Sequence, residues 1–179
     1  MNSDEVFGAN LAGLGPAAFG RLIERLLWHL GFSEVTNIDG SGDEGADLVA
    51  LRDSQRWVFQ AKSKQTSPVD SQAVNEARNG MQAFEANRGA VVTNGRFTNK
   101  AADRAKQLRQ ATGVQIGLWQ RSDLVELFLT LRARNVFPNL MSESIKSRPS
   151  RRHGMTSKKL DLRFLYSRQG LERRWSLVL

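Results

Sequence analysis

Asp47, Gln60 and Lys62 are the residues of this chain whose types and spacing suit chemistry. They lie in the stretch GSGDEGADLVALRDSQRWVFQAKSK, residues 40–64, which reads as a glycine-rich turn over Gly40–Gly45, a strand, a short hairpin connection and a second strand. Asp47 stands at the head of the first strand. In the second, Gln60, Lys62 and Lys64 alternate with Phe59, Ala61 and Ser63. Successive strand residues point to opposite faces, so Gln60 and Lys62 share a face. A hairpin pairs the two strands and brings Asp47 alongside them. One carboxylate, one amide carbonyl and one ammonium converging at a sheet edge suit a divalent cation and a water. Each residue also has an ordinary reading, Asp47 as an acid closing a Gly-rich turn and Lys62 as a solvated strand residue.

The elements that must position these groups can be read on either side. The first ten residues are polar and are expected to be loose. Pro16 suits the first turn of a helix; Phe19, Leu22, Ile23, Leu26, Leu27 and Leu30 then form one apolar stripe, and Gly31 ends it. Phe32–Ile38 reads as a first strand. After the hairpin, Pro68 opens a helix through about Ala86, with Ala73, Ala77, Met81 and Phe84 as core contacts. Ala90–Val92 is a short, wholly apolar strand of the kind buried on both faces of a sheet. Asn99–Thr112 is helical, Val114–Trp119 a strand, and Ser122–Arg134 a helix that Ser122 or Asp123 caps. The order α-β-β-β-α-β-α-β-α gives an α/β fold, a mixed sheet covered by helices on both faces.

The pattern D-(12 residues)-Q-x-K after G-x-G-D-x-G-x-D resembles the PD-(D/E)xK nuclease superfamily, and more narrowly the Mrr-type restriction endonuclease catalytic domain. The upstream helix LGPAAFGRLIERLLWHLGF and the downstream GAVVTNGRFTNKAADRA continue the likeness, which covers Leu14 to Leu131. The resemblance implies the restriction-endonuclease-like fold and a metal-dependent DNA endonuclease, using Mg2+ or Mn2+, in DNA restriction or in defence against phage and plasmids. It implies Asp47, Gln60 and Lys62 as catalytic residues, with the metal held by Asp47, Gln60 and the backbone carbonyl of Ala61. Lys62 would hold or deprotonate the attacking water, with Lys64 as a neighbouring cation. Thr93 and Arg96, between the fourth strand and a helix, are expected to contact DNA together with Lys64. The chain departs from the family at Gly20, where a Glu usually completes the acidic cluster; Glu24, one helical turn on, is the candidate replacement. That departure leaves a second reading, a catalytically weak DNA-binding or assembly module that keeps the fold, and a resolvase of branched DNA is a third within the same fold.

Composition narrows the remaining classes. The 179 residues include no cysteine, which excludes disulfides, thiolate metal sites and a Cys nucleophile. The start lacks the pattern of a signal peptide and no apolar run spans a bilayer, so a cytoplasmic protein without membrane association is expected. His29 sits on a Leu-rich helix and His153 in a linker, neither with a catalytic partner in sequence. The formal charge of +8 is unevenly spread: residues 1–145 carry 16 basic and 16 acidic side chains, whereas residues 146–179 carry 10 Lys and Arg against Asp161 and Glu172. Two units are therefore expected: a nuclease-like domain over 1–135, and a basic linker with a C-terminal hairpin arm over 136–179. The linker residues Arg151 and Arg152 suit DNA phosphates. The apolar alternation in KKLDLRFLYSRQGLERRWSLVL suits a homodimer or a partner protein.

Overall fold

The computed structural model describes residues 3–38, 44–64 and 66–133. Most of the Gly40–Gly45 turn and all of the basic linker and C-terminal arm, including Arg151 and Arg152, lie outside the described residues. Ten elements follow in order: α1 (Ser3–Ala12), α2 (Pro16–His29), β1 (Ser33–Asn37), β2 (Leu48–Arg52), β3 (Gln55–Lys62), α3 (Ser71–Ala83), β4 (Arg88–Thr93), α4 (Asn99–Thr112), β5 (Ile116–Trp119) and α5 (Arg121–Ala133). The strands form one sheet in the order β1-β2-β3-β4-β5. β1, β2 and β3 pair antiparallel, and β4 and β5 then add parallel to β3. This is the expected mixed α/β architecture, with helices on both faces.

The β2–β3 hairpin closes through Asp53 and Ser54, both at positive φ (50° and 62°). Two left-handed residues between the paired Arg52 and Gln55 make the tight turn whose twist matches the strands. That turn sets the register from Arg52↔Gln55 back to Leu48↔Phe59, so Asp47 and Gln60 are the next residues out.

Alternation divides the sheet into two cores. On one face Leu48, Ala50, Trp57, Phe59, Ala90 and Val92 pack with α2 and α5. Phe59 anchors this layer: Phe32 meets it edge-on at 5.4 Å, Trp57 stacks at 5.9 Å and Trp119 lies 5.7 Å away. Such pairs contribute about 0.5–1.5 kcal/mol each beyond area burial. On the opposite face Val58 and Val91 pack with Ala73, Val74, Ala77 and Met81 of α3, and with Ala101 and Leu108 of α4. Gln60 and Lys62 follow Val58 on that second face.

Two readings of the elements need correction. The first residues are not loose: α1 is a helix that packs against α5 and buries Leu11 completely. Its stability comes from that docking, and the sequence shows no apolar stripe to announce it. α3 begins at Ser71, three residues after Pro68. Asp70 caps it by accepting the Gln72 N–H at 3.0 Å. Val69 is held extended, donating to Arg96 O at 2.8 Å and accepting from Thr98 N at 2.9 Å.

At the C-terminal ends of β3 and β4 the chain is tied by one fully buried side chain. Asn94 Oδ1 accepts the Lys64 N–H at 2.8 Å, and its Nδ2 donates to Leu14 O at 3.0 Å and Leu11 O at 3.2 Å. Ser63 Oγ adds a bond to Leu14 O at 2.7 Å. The α1–α2 connection is thereby fixed to the end of the sheet. Asn94→Ala strands several buried backbone groups, each costing about 1–3 kcal/mol. A loss of roughly 3 kcal/mol is expected in chemical denaturation; a midpoint equal to the parent's would remove this bridge from the fold's supports.

Candidate active site

The chain brings Asp47, Gln60 and Lys62 to one end of the sheet. β2 starts there and β3 finishes there, because the strands are antiparallel. Asp47 is held by its backbone on both sides: its N–H donates to Phe59 O at 2.9 Å, and its carbonyl accepts the Ile38 N–H at 3.0 Å. Its half-buried carboxylate turns toward β3, where Oδ2 accepts the Ala61 N–H at 2.5 Å. A charged acceptor makes this a strong bond. It fixes the acid against the peptide between Gln60 and Ala61.

Gln60 is 3% exposed, and among the described residues its side-chain oxygen has no hydrogen-bond partner. A buried amide oxygen left unpaired costs free energy that a structure ordinarily avoids. An electropositive atom bound beside Asp47 would supply the missing partner. Asp47 and Gln60 offer hard oxygens, which suit Mg2+ or Mn2+. Among the described residues no three His, Cys, Asp or Glu side chains converge.

Lys62, about a third exposed, forms an ion pair with Glu76 of α3, Nζ to Oε2 at 2.7 Å. Glu76 Oε2 is buried and, among the described residues, makes no aligned hydrogen bond; the Lys62 ammonium lies against it. Sequence reasoning missed Glu76 because it flanks the α3 core stripe instead of interrupting it. Gly80 was the available signal, a glycine inside a helix that marks close backbone approach. A Cβ there would lie 2.8 Å from Ala46 Cβ and 2.9 Å from Gly45 O. Gly45, at φ +90°, in turn lies against the backbone of Glu76. α3 is therefore seated on the residues that lead into Asp47.

The other expected residues fall into three groups. Lys64 and Arg96 are exposed on adjacent loops at the same end of the sheet, drawn together by the Lys64–Asn94 bond and by Gly95, whose missing side chain leaves room for Lys64 O. Thr93 is fully buried: its hydroxyl donates to Lys62 O at 2.6 Å and accepts the Gly95 N–H at 3.0 Å. That burial removes Thr93 from the surface expected to meet DNA and makes it a support under Lys62. Glu24 is half-buried on α2, the helix that covers the opposite face of the sheet. Gly20 precedes it by one turn, with open space where a Cβ would stand. A separate groove lined by Thr36, Arg56 and Phe84 lies toward the hairpin-turn end and contains none of these groups.

Comparison with known proteins gives a consistent picture. The chain's fold is similar to that of the MspJI restriction endonuclease, solved in complex with a 27-mer oligonucleotide, with a TM-score of 0.55 and 17% identity. The match covers 82% of this chain and 35% of that enzyme, so the chain spans about a third of its length. A protein of unknown function, AF1548, gives a TM-score of 0.47 at 16% identity, over 73% of this chain and 97% of that one. No curated protein sequence matches. The Mrr catalytic-domain profile, described as restriction endonuclease, matches residues 11–128. With most of its length matched, and with the D…QxK residues gathered at one end of a mixed five-stranded sheet, the chain belongs to the Mrr-type restriction endonuclease family.

Proposed function

We propose that this protein is a metal-dependent DNA endonuclease acting in DNA restriction or host defence. The observation that carries the reading is the Gln60 oxygen, buried and without a hydrogen-bond partner among the described residues, one residue before the Ala61 whose N–H the Asp47 carboxylate accepts and two residues from Lys62 on the same face. Asp47, Gln60 and the Ala61 carbonyl hold the cation, Mg2+ or Mn2+. When bound, it offsets charge on the scissile phosphate and makes water a better nucleophile at neutral pH. Lys62 orients the water and donates to the charge that develops as the water oxygen attacks phosphorus and the P–O bond to the leaving alcohol breaks. The attacking water gives up its proton to bulk solvent, and the leaving oxygen takes one up from it. Lys64 and Arg96, exposed at the same end, contact phosphates and orient the duplex.

Asp47→Ala and Lys62→Ala should each lower metal-dependent plasmid cleavage by about 10²-fold or more, while circular dichroism and DNA affinity stay near the parent's. Both remove interactions made chiefly in the transition state. Variants that cut like the parent would overturn the assignment.

Glu24 is proposed as the second acidic contributor, standing in for the family Glu missing at Gly20. Glu24→Gln then raises the magnesium concentration for half-maximal cleavage, and Gly20→Glu, which has room for its Cβ, partly restores it. An unchanged metal titration in Glu24→Gln returns that residue to the surface.

The residues after 135 form the second proposed unit, in which the linker arginines track DNA and the terminal hairpin assembles a homodimer or a partner complex. Two active sites are what cutting both strands requires. Truncation after Met155 is expected to halve the solution mass by light scattering while salt-sensitive DNA binding survives. Replacing Arg148, Arg151 and Arg152 should instead flatten the salt dependence by about 0.9 in log–log slope per lost phosphate contact. A truncated protein of undiminished oligomeric state would end the assembly role.

A further inference from the structure

We propose that Glu76 is the positioning residue for Lys62, holding its ammonium in place for phosphodiester cleavage; the role rests on the nuclease reading above. A lysine side chain is a flexible four-carbon stem carrying about 2 kcal/mol of rotamer entropy. Left on a strand end it would sample many positions, and catalysis by a positioned group needs one. Four observations supply the restraint.

The ammonium lies 2.7 Å from Glu76 Oε2, and the two side chains are only 30% and 28% exposed. The carboxylate is itself immobilised, because Oε1 accepts a hydrogen bond from Gln72 Nε2 at 2.9 Å, one turn earlier on α3. The helix is fixed as well: the Glu76 backbone rests on Gly45, and Gly80 rests on Gly45 and Ala46. Gly45 and Ala46 run directly into Asp47. The same contact that seats the metal-binding acid therefore seats the carboxylate that aims the lysine. From the other side Thr93 Oγ1 holds the Lys62 carbonyl at 2.6 Å, so the residue is restrained at both backbone and tip.

A purely stabilising ion pair would be expected at a surface where loss of either partner is tolerated. Here Oε2 is shut off from solvent, and among the described residues the ion pair it makes is with the Lys62 ammonium. Glu76 is given no part in holding the cation or the substrate. Its effect passes through Lys62.

Glu76→Gln keeps the shape and the Gln72 contact while removing the charge. Expected are a fall in kcat of about tenfold or more, KM for DNA and the half-saturating Mg2+ concentration within about twofold of the parent, and an unchanged circular dichroism spectrum. Glu76→Asp, which keeps the charge, should recover part of the rate. A readout independent of activity is the lysine ammonium region of a 1H–15N correlation spectrum. One slowly exchanging NH3+ signal should vanish in both Lys62→Arg and Glu76→Gln. Parent-like kcat in Glu76→Gln overturns the proposal, and so does an ammonium signal that survives that substitution. A shifted metal titration would make Glu76 a ligand and end its role as a positioning residue. A parent protein that never cuts DNA under any metal overturns the nuclease reading and the catalytic role with it, while the ammonium signal still decides whether Glu76 fixes Lys62.

Discussion

The parity of β3 is the constraint on which the rest of the molecule depends. Phe59 sits fully buried among Phe32, Trp57 and Trp119, and a strand turns every second side chain to the same face. Once Phe59 is committed to that cluster, Gln60 and Lys62 have only the other face, the one covered by α3. A slip of one residue would drive Gln60 and Lys62 into an aromatic core and turn Phe59 out of it, against α3. Burying a phenylalanine is worth about 1.5–3 kcal/mol, and seating a charged lysine among aromatics costs several more. The packing of one face thus specifies the chemistry of the other.

The end of the sheet is made rigid by groups that take no part in that chemistry. Asn94 joins three chain segments through a single amide, Thr93 bonds the carbonyl of Lys62, and Gly95 allows the loop after β3 to lie against the loop after β4. On the other side of Asp47, Gly45 and Gly80 allow α3 to rest on the incoming chain. A side chain at either glycine would push helix and strand apart and carry Glu76 away from Lys62. The geometry at Asp47 is held by backbone contact from both directions, which is a tighter restraint than side-chain packing alone provides.

What could be read in advance follows from the range of each interaction. Asp47, Gln60 and Lys62 were legible because a hairpin is a local object: two strands, a two-residue turn and alternation decide who faces whom. α2 was legible from its apolar stripe, and its observed span, Pro16–His29, agrees with the expected helix ended by Gly31. Glu76 was not, since its meeting with Lys62 depends on how α3 docks, and no periodicity encodes the flank of a helix. Thr93 was read as a DNA contact from its place between a strand and a helix. It is buried because β4 is central, and its hydroxyl found a partner in the neighbouring strand. α1 was missed for the related reason that a helix held by docking needs little stripe of its own.

Charge explains why an amide at position 60 would be tolerable in a site that meets DNA as proposed. With Glu76 paired to Lys62, the strand residues of the site bring one negative charge, that of Asp47, to which the proposed Glu24 would add a second. A second carboxylate in place of Gln60 would bind a cation more tightly but would also repel a polyanion whenever the cation is absent. The amide keeps an oxygen donor and drops that charge, at the expense of metal affinity. Residues 1–145 carry no net charge, so they offer no long-range attraction to DNA that could offset such repulsion. The nearby cations Lys64 and Arg96 act at short range, within about 10 Å at moderate salt. A catalytic domain of this kind would therefore be only a weak collector of DNA, which gives physical reason for the +8 surplus to lie in the 34 residues that follow it.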